Sequence, residues 1–236
     1  MKKKWEVRFL LNNQQRSEIV TQDLKEKEVR QFIIQKYGLS NDRDILNVSG
    51  AFEPIPGKKI FLGTHAINSS LDLGFPYSKS GNKFYELINP ELEMLRKIIE
   101  KDPNPENSEN AILKIEKYFK DNEIGIADMI DFCESTSSKD QDICLNKPIV
   151  WNEKLLELLE NAELIILNGK STNSKSAFWF LKKYCRENGI TIQDGNLCFN
   201  NKIIKCTMVY GSSGGVRERF HKDRKEEWKK LLEQQW

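Results

Sequence analysis

The sequence predicts an α/β fold with a mostly parallel central sheet. Three short apolar runs have the composition of buried parallel strands and lead into glycine-containing segments: residues 59–63, 163–167 and 203–210. Segments with apolar residues at helical spacing lie between these runs, so strand, loop and helix alternate along the chain. With 236 residues and 39% hydrophobic content, the chain can bury one substantial core and a small appendage.

Residues 1–50 are expected to form a ββα appendage, and residues 51–236 the main domain. The appendage has two strand-like segments and one helical segment, residues 5–11, 17–23 and 25–37. The helical segment stops at Gly38, and the prolines and glycine of residues 54–57 then interrupt the chain.

The middle of the chain is predicted to be helical. Residues 83–99 form a helical pattern that is interrupted near Pro90, and a polar, proline-bearing break covers residues 102–108. Residues 111–119 and 175–186 again carry apolar side chains at helical spacing. These helices are expected to pack against the sheet.

Composition excludes several classes of protein. The 37 basic and 35 acidic residues nearly balance, so any nucleic-acid contact must come from a local basic surface. No apolar stretch approaches the length of a membrane span, and the first residues lack the apolar core of a signal peptide. We therefore expect a cytoplasmic, monomeric protein that does not contact a membrane.

The five cysteines are scattered, and no two of them have the spacing of a zinc or iron–sulfur site. We expect reduced thiols, with no metal and no cofactor.

In open parallel sheets, ligands bind outside the carboxyl ends of the strands. This rule directs attention to the segments that follow Gly63, Gly169 and Tyr210. The last of these segments is a Gly/Ser-rich loop, in which the backbone can approach a phosphate closely.

The segments at these positions resemble motifs of the uracil-DNA glycosylase superfamily, and they look most like its mismatch-specific and hypoxanthine-DNA glycosylase branches. They are residues 62–70, 74–85, 125–131, 167–169 and 210–217, in the family's order. The resemblance implies a three-layer α/β/α fold with a mostly parallel four-stranded sheet. It also implies a monofunctional DNA glycosylase that excises a deaminated or modified base from double- or single-stranded DNA.

The resemblance assigns catalytic candidates. Asn82 matches a catalytic asparagine of the hypoxanthine branch, although an asparagine there can also cap the helix that follows. His65 stands where the mismatch-specific branch has a catalytic asparagine, and an imidazole can orient water or serve a structural role. Asp128 lies in a resembling segment, where a carboxylate can stabilise a cationic sugar.

Tyr77 and Phe75 are the candidates for the aromatic ring that stacks on an extruded base, and core packing is the alternative for both. Thr64 and Asn168, at the ends of two predicted strands, complete the expected base-binding set.

Two loops are expected to contact DNA. Their residues are Ser69, Ser70, Ser212, Ser213, Gly214, Val216, Arg217 and Arg219. In the family the late loop pinches the DNA backbone and inserts a wedge into the base stack. Val216 or Arg217 is expected to fill the space that the extruded base leaves there. This chain has Tyr210 and Gly211 where family members usually carry a proline. Basic residues exceed acidic ones over residues 217–230, as an interface with phosphate requires.

Two alternative hypotheses assign the chain to other functional classes. A nucleotide-binding enzyme is disfavoured, because no phosphate-binding glycine motif follows the first strand of the main domain. A catalytically inactive DNA-binding module of the same fold is the rival hypothesis, motivated by the departures at His65 and Gly211. Within the glycosylase hypothesis, the expected base is uracil or hypoxanthine in repair, or a modified pyrimidine in defence against phage DNA.

Overall fold

The computed structural model of the chain describes residues 3–12, 14–66, 68–78, 81–102, 104–135, 143–212 and 221–233. The strands are β1 Lys3–Leu11, β2 Gln14–Val20, β3 Ile45–Phe52, β4 Lys59–His65, β5 Ile124–Phe132, β6 Val150–Trp151, β7 Leu164–Asn168, β8 Thr191–Gln193, β9 Asn196–Phe199 and β10 Lys202–Val209. The α-helices are α1 Glu26–Tyr37, α2 Asn68–Leu73, α3 Phe84–Ile88, α4 Pro90–Lys101, α5 Pro105–Asp121, α6 Leu155–Asn161, α7 Ala177–Glu187 and α8 His221–Glu233.

The main sheet is an α/β sheet with four parallel strands at its centre. Within the described residues it has seven strands in the order β6-β5-β4-β7-β10-β9-β8. The inner strands β5, β4, β7 and β10 are parallel, and their register places Leu62 of β4 beside Ala127 of β5 and Leu167 of β7. The parallel centre agrees with the sequence prediction, but four strands was too low a number for the whole sheet.

The additional strands are short and antiparallel. β8 and β9 are joined by Asp194 and Gly195, and β9 and β10 by Asn200 and Asn201, all four with positive φ. Two-residue turns with positive φ at both positions match the twist of antiparallel strands, and Asn, Asp and Gly adopt them most readily. β6 adds a two-residue antiparallel strand at the opposite edge.

Side chains of the parallel strands alternate between two cores. In β4, Ile60 and Leu62 pack in a core with α6 and α7, while Phe61 points to the other side and packs with helices α3, α4, α5 and α8. A strand buried on both faces has an almost continuous apolar sequence, as residues 60–62 do. The main domain therefore has three layers, with helices on both sides of the sheet.

The amino-terminal unit has its own sheet, in the order β2-β1-β3, covered on one face by α1. Trp5, Val7 and Phe9 alternate along β1 and are buried beneath the helix. α1 ends at Gly38, which has φ +62° and closes the helix with a backbone hydrogen bond to Ile34. The expected ββα unit is therefore a ββαβ unit, since β3 was not predicted.

Charged side chains join this unit to the main domain. Lys4 of β1 forms a 2.6 Å ion pair with Asp131 of β5 and a 3.1 Å pair with Glu153. Lys154 pairs with Glu53 nearby. Asp131 is almost fully buried; burial raises the pKa of its carboxyl group, and the hydrogen bond from Lys4 opposes that rise.

None of the helices in the described segments is long and apolar enough to span a membrane.

Candidate active site

The carboxyl edge of the parallel strands brings together side chains that are far apart in sequence. His65 ends β4, Asp128 lies in β5 and Asn168 ends β7. Asp128 is the direct register partner of Gly63 in the neighbouring strand, and His65 is the partner of Ile130. This is the edge at which open α/β sheets bind ligands.

Gly63 leaves the space in which two functional groups meet. A Cβ atom placed on Gly63 would lie 2.2 Å from Oδ1 of Asp128 and 2.8 Å from the hydroxyl oxygen of Tyr77. The carboxylate and the phenol therefore both lie in the space that a side chain at position 63 would fill. No residue with a side chain would allow both groups to occupy these positions.

Tyr77 is held by an aromatic group in the core. Its ring stacks on Phe84 with centroids 4.2 Å apart and planes inclined by 15°. Phe84 in turn makes edge contacts with Phe61 and Trp228. Tyr77 has φ +56°, a left-handed conformation that bulky residues rarely adopt and that is often found at functional sites.

The loop that carries Tyr77 is fastened by the helices behind it. The hydroxyl of Tyr85 donates a hydrogen bond to the carbonyl of Pro76, and Nη1 of Arg96 donates to the carbonyl of Ser78 at 3.0 Å. Tyr85 is fully buried, and burial raises the pKa of its phenol well above the ordinary value. The phenol therefore stays protonated and remains a hydrogen-bond donor.

Phe75, the competing candidate for stacking, is fully buried and packs beside Tyr85. It offers no ring face to a base in this conformation, so the expectation for Phe75 is corrected to a core residue. Tyr77 is half-buried and is the remaining aromatic candidate.

Asn82 lies two residues before the first residue of α3. Its Oδ1 accepts a 2.9 Å hydrogen bond from the backbone N–H of Phe84. The next residue, Lys83, donates its backbone N–H to the carbonyl of Ser212 at 2.8 Å. The Asn82 loop and the late loop are therefore directly linked.

Asn168 and Ser212 form a reciprocal pair. Nδ2 of Asn168 donates to Oγ of Ser212 at 2.9 Å, and the Ser212 N–H donates to Oδ1 of Asn168 at 2.8 Å. Ser212 is buried, so its hydroxyl positions the loop in this structure and is not presented to DNA. Both polar atoms of the Asn168 amide are likewise engaged in hydrogen bonds to Ser212.

Two other predicted residues are also buried. Thr64 lies within β4, and Ser70 lies on α2, which packs against the amino-terminal unit. Neither presents its side chain to solvent. The side chain of Ser69 lies outside the described residues, as do Ser213, Gly214, Val216, Arg217 and Arg219.

Helix α8 holds the start of the late loop, a role that the sequence did not predict. Nε1 of Trp228 donates to the Tyr210 carbonyl at 2.9 Å, and Glu227 accepts from the Tyr210 N–H at 2.8 Å. Nη1 of Arg224 reaches the Gly211 carbonyl at 3.3 Å, and burial lowers the pKa of this guanidinium. The i, i+4 spacing of Arg224 and Trp228 was the available signal, because it places both on one helical face.

The rim of the site carries three lysines and two glutamates. Lys83 and Lys225 lie 2.8 Å and 3.1 Å from the same carboxylate, Glu86, and the hydrogen bond from Lys83 lowers its pKa. Lys170 pairs with Glu227 at 2.5 Å and lies 4.1 Å from the centroid of the Tyr210 ring. These groups leave one net positive charge beside the site, the sign that meets phosphate.

In the part of the chain that the structure describes, no three His, Cys, Asp or Glu side chains cluster closely enough to hold a metal ion.

No protein-family model matches the sequence, and no curated protein matches it significantly. Among solved structures, the fold is similar to an NMR structure from Methanosarcina acetivorans of a protein provisionally named a uracil DNA glycosylase. The two chains are 22% identical, the match covers 77% of this chain and 94% of the other, and the TM-score is 0.49. At this level of likeness, the activity must be inferred from the residues of this chain.

Proposed function

We propose that this protein is a monofunctional DNA glycosylase, which takes a base out of the DNA stack and hydrolyses its N-glycosidic bond. The observation that carries the proposal is the meeting of the Asp128 carboxylate and Tyr77 over Gly63, at the carboxyl edge of the sheet. The motif resemblance described above is the second support.

Tyr77 supplies the binding surface for the extruded base. One face of its ring is covered by Phe84, so a base stacks on the opposite face. Such stacking is worth about 1 to 3 kcal/mol, which offsets much of the few kcal/mol that flipping costs. Because the ring is already fixed by its neighbours, little further ordering is needed when the base arrives.

Asp128 acts on the sugar. When the bond between C1′ and the base nitrogen breaks, positive charge develops on the sugar ring, and a nearby carboxylate stabilises it electrostatically. The base leaves with the bonding electron pair, water adds to C1′, and the proton that this water loses neutralises the departing base through the solvent. His65 or Asn82 orients this water. The product is a base and an abasic site, with the phosphate backbone intact.

The proposed substrates are uracil or hypoxanthine in damaged DNA, or a modified pyrimidine of phage DNA. Tyr77 and Asn82 belong to one segment beside this edge of the sheet and Ser212 to the other, so we expect the size of the accepted base to depend on these two segments.

One observation favours the rival hypothesis of an inactive DNA-binding module. The amide oxygens of Asn82 and Asn168 are both used in local hydrogen bonds, one capping α3 and the other holding Ser212. A protein of this kind would bind DNA and release no base.

The test is single-turnover incubation with labelled duplexes that contain uracil, hypoxanthine or a hypermodified cytosine, followed by alkali to cleave abasic sites. We expect Asp128→Asn to slow base release by about a hundredfold, because the lost charge acts in the transition state. Asp121→Asn, the same change at an exposed position on α5, is the matched control. Asn82→Ala, with Asn161→Ala as its control, tests the amide.

Base release that depends on Asp128 supports the glycosylase. Binding to every duplex with no alkali-sensitive site on any of them rejects it in favour of the inactive module.

A further inference from the structure

The outer face of α7 combines aromatic and basic side chains on the opposite side of the sheet from α8. Phe178 and Trp179 lie in its first turn, and Lys182, Lys183 and Arg186 follow at intervals of three to four residues. This spacing places all five side chains along one stripe of the helix. Phe178 and Trp179 pack partly against the core and remain half-exposed.

The cations of this stripe are only partly neutralised. Lys183 pairs with Glu187, which also accepts a hydrogen bond from Trp151. Among the residues that the structure describes, neither Lys182 nor Arg186 has an ion-pair partner. Lys182 lies 5.7 Å from the centroid of the Phe178 ring, a position for a cation–π contact.

A groove of about 570 Å³ runs beside the stripe, between α7 and the short strand β8. Its lining includes Trp179 and Arg186 of α7, together with Ile190 and Ile192. The groove therefore has an aromatic and aliphatic floor with cations on its rim.

The stripe also leads away from the candidate active site. The segment between β7 and α7 starts at Asn168 and includes Lys170, which lies against Tyr210. From there the eleven residues of α7 extend about 16 Å along the sheet. A strand that leaves the active-site edge can follow this helix.

We propose that the α7 stripe is a binding surface for single-stranded nucleic acid, separate from the base-excision site. Unpaired bases expose flat faces that stack on Phe178 and Trp179, and the phosphates between them meet Lys182 and Arg186. A duplex keeps its base faces inside the stack, so it would use only the cations. The combination of cations and aromatic rings fits a polyanion whose bases can stack. Binding of single-stranded nucleic acid at this surface does not require base excision.

Fluorescence anisotropy with two labelled 12-nucleotide probes tests the proposal. One probe is oligothymidylate, and the other has the same phosphates with abasic residues throughout. We expect Trp179→Ala to weaken oligothymidylate binding by about tenfold, with little change for the abasic probe. The double variant Lys182→Ala/Arg186→Ala should weaken both probes and reduce the slope of log affinity against log salt by about 1.4.

The matched control is Lys97→Ala/Lys114→Ala, which removes two exposed lysines from α4 and α5 on the opposite side of the sheet. It should leave the affinity for both probes nearly unchanged. Circular dichroism and melting temperature establish that each variant is folded.

The proposal is overturned if neither probe binds, if the control weakens binding as much as the α7 variants, or if a duplex binds with the same dependence on Trp179. Base release from a short duplex, measured in parallel, should be unaffected by the α7 variants. The two proposals therefore succeed or fail separately.

Discussion

At the scale of single residues, Gly63 has the greatest influence on the candidate active site. The glycine sits in the middle of a strand, where its missing side chain normally weakens the sheet. Here that absence admits the Asp128 carboxylate and the Tyr77 hydroxyl. A methyl group at this position would collide only with the ends of two side chains. A substitution of Gly63 should therefore change activity more than stability.

We predict that Gly63→Ala will slow base release by about a hundredfold, since a displacement of roughly 1 Å in a catalytic group can have that effect. The melting temperature should change little, because the Asp128 carboxylate can rotate away and the Tyr77 hydroxyl, 2.8 Å from the added Cβ, needs only a small shift. Single-turnover kinetics and thermal unfolding measure the two effects.

Gly211→Ala is the control at the same edge. Among the residues that the structure describes, the nearest atom to an added Cβ there is 3.9 Å away, so the methyl group fits beside them. Equal loss of activity in both variants would contradict the role given to Gly63.

The buried thiols give a second prediction at this scale. Burial raises the pKa of Cys185 and Cys206 to about 12, so both remain neutral at pH 8. In the folded protein, iodoacetamide should modify the half-buried Cys198 faster than the buried Cys185. Denaturant should make all five cysteines reactive, and mass spectrometry of peptides distinguishes the positions.

The same shifts predict how stability depends on alkaline pH. Thiols in the unfolded chain ionise near about pH 8.5. Because ionisation of Cys185 and Cys206 is delayed in the folded state, raising the pH above that value favours unfolding. A free energy of unfolding that stays constant between about pH 8.5 and 11 would contradict this expectation.

At the scale of elements, the site depends on the junction between β7, α8 and the late loop. Asn168→Ala removes both hydrogen bonds to Ser212 and leaves a buried N–H without its acceptor. We predict a loss of about 1 to 3 kcal/mol in the free energy of unfolding, together with slower base release.

Urea denaturation and single-turnover kinetics check this prediction, with the exposed Asn161→Ala as the control. An Asn168→Ala variant as stable and active as that control would mean that the loop does not need the pair.

Elements with a strong local pattern could be predicted from the sequence. The α1 and α7 helices and the strands β4, β7 and β10 lie within a few residues of their predicted positions. β2 lies about three residues before its prediction, because the turn after β1 is shorter than the polar run suggested. The apolar pattern does not predict β5, because Gly125, Asp128 and Asp131 interrupt its apolar run. Only the motif resemblance draws attention to this segment.

The edge hairpins and the details of the site could not be predicted in the same way. Strands of two to four residues are too short to show a period, although the turn at Asp194 and Gly195 carried a readable signal. The rule for ligands at strand ends predicts that His65 and Asn168 belong to the site, and both lie at the carboxyl ends of their strands. The burial of Phe75 and Ser212, and the hold of α8 on the late loop, follow from tertiary contacts that have no local sequence pattern.

At the scale of the whole molecule, the Lys4 and Asp131 pair is one of the contacts that join the amino-terminal unit to the main domain, beside the packing of α2 on that unit. Lys4→Met should cost about 2 kcal/mol of unfolding free energy, because it leaves a buried carboxylate without its cation. This is less than a fully enclosed pair would cost, since Lys4 is 24% exposed.

Lys58→Met breaks an exposed pair with Glu123 and should lower the free energy of unfolding much less than Lys4→Met does, which makes it the control. Adding Asp131→Asn to the Lys4→Met background should recover most of the loss. If Lys4→Met lowered the free energy of unfolding no more than Lys58→Met does, the Lys4 and Asp131 pair would not stabilise the junction between the two units.

The hydrogen bonds of Ser212 also set the order in which a nascent chain can complete its site. Ser212, the hydrogen-bond partner of Asn168, lies 44 residues further along the chain and is synthesised later. At translation rates of about 5 to 20 residues per second, that partner leaves the ribosome about 2 to 9 s later. β4, β5 and β7 can pair during this interval while the edge above them is still unfinished. The candidate site is therefore complete only after the rest of the sheet has been synthesised.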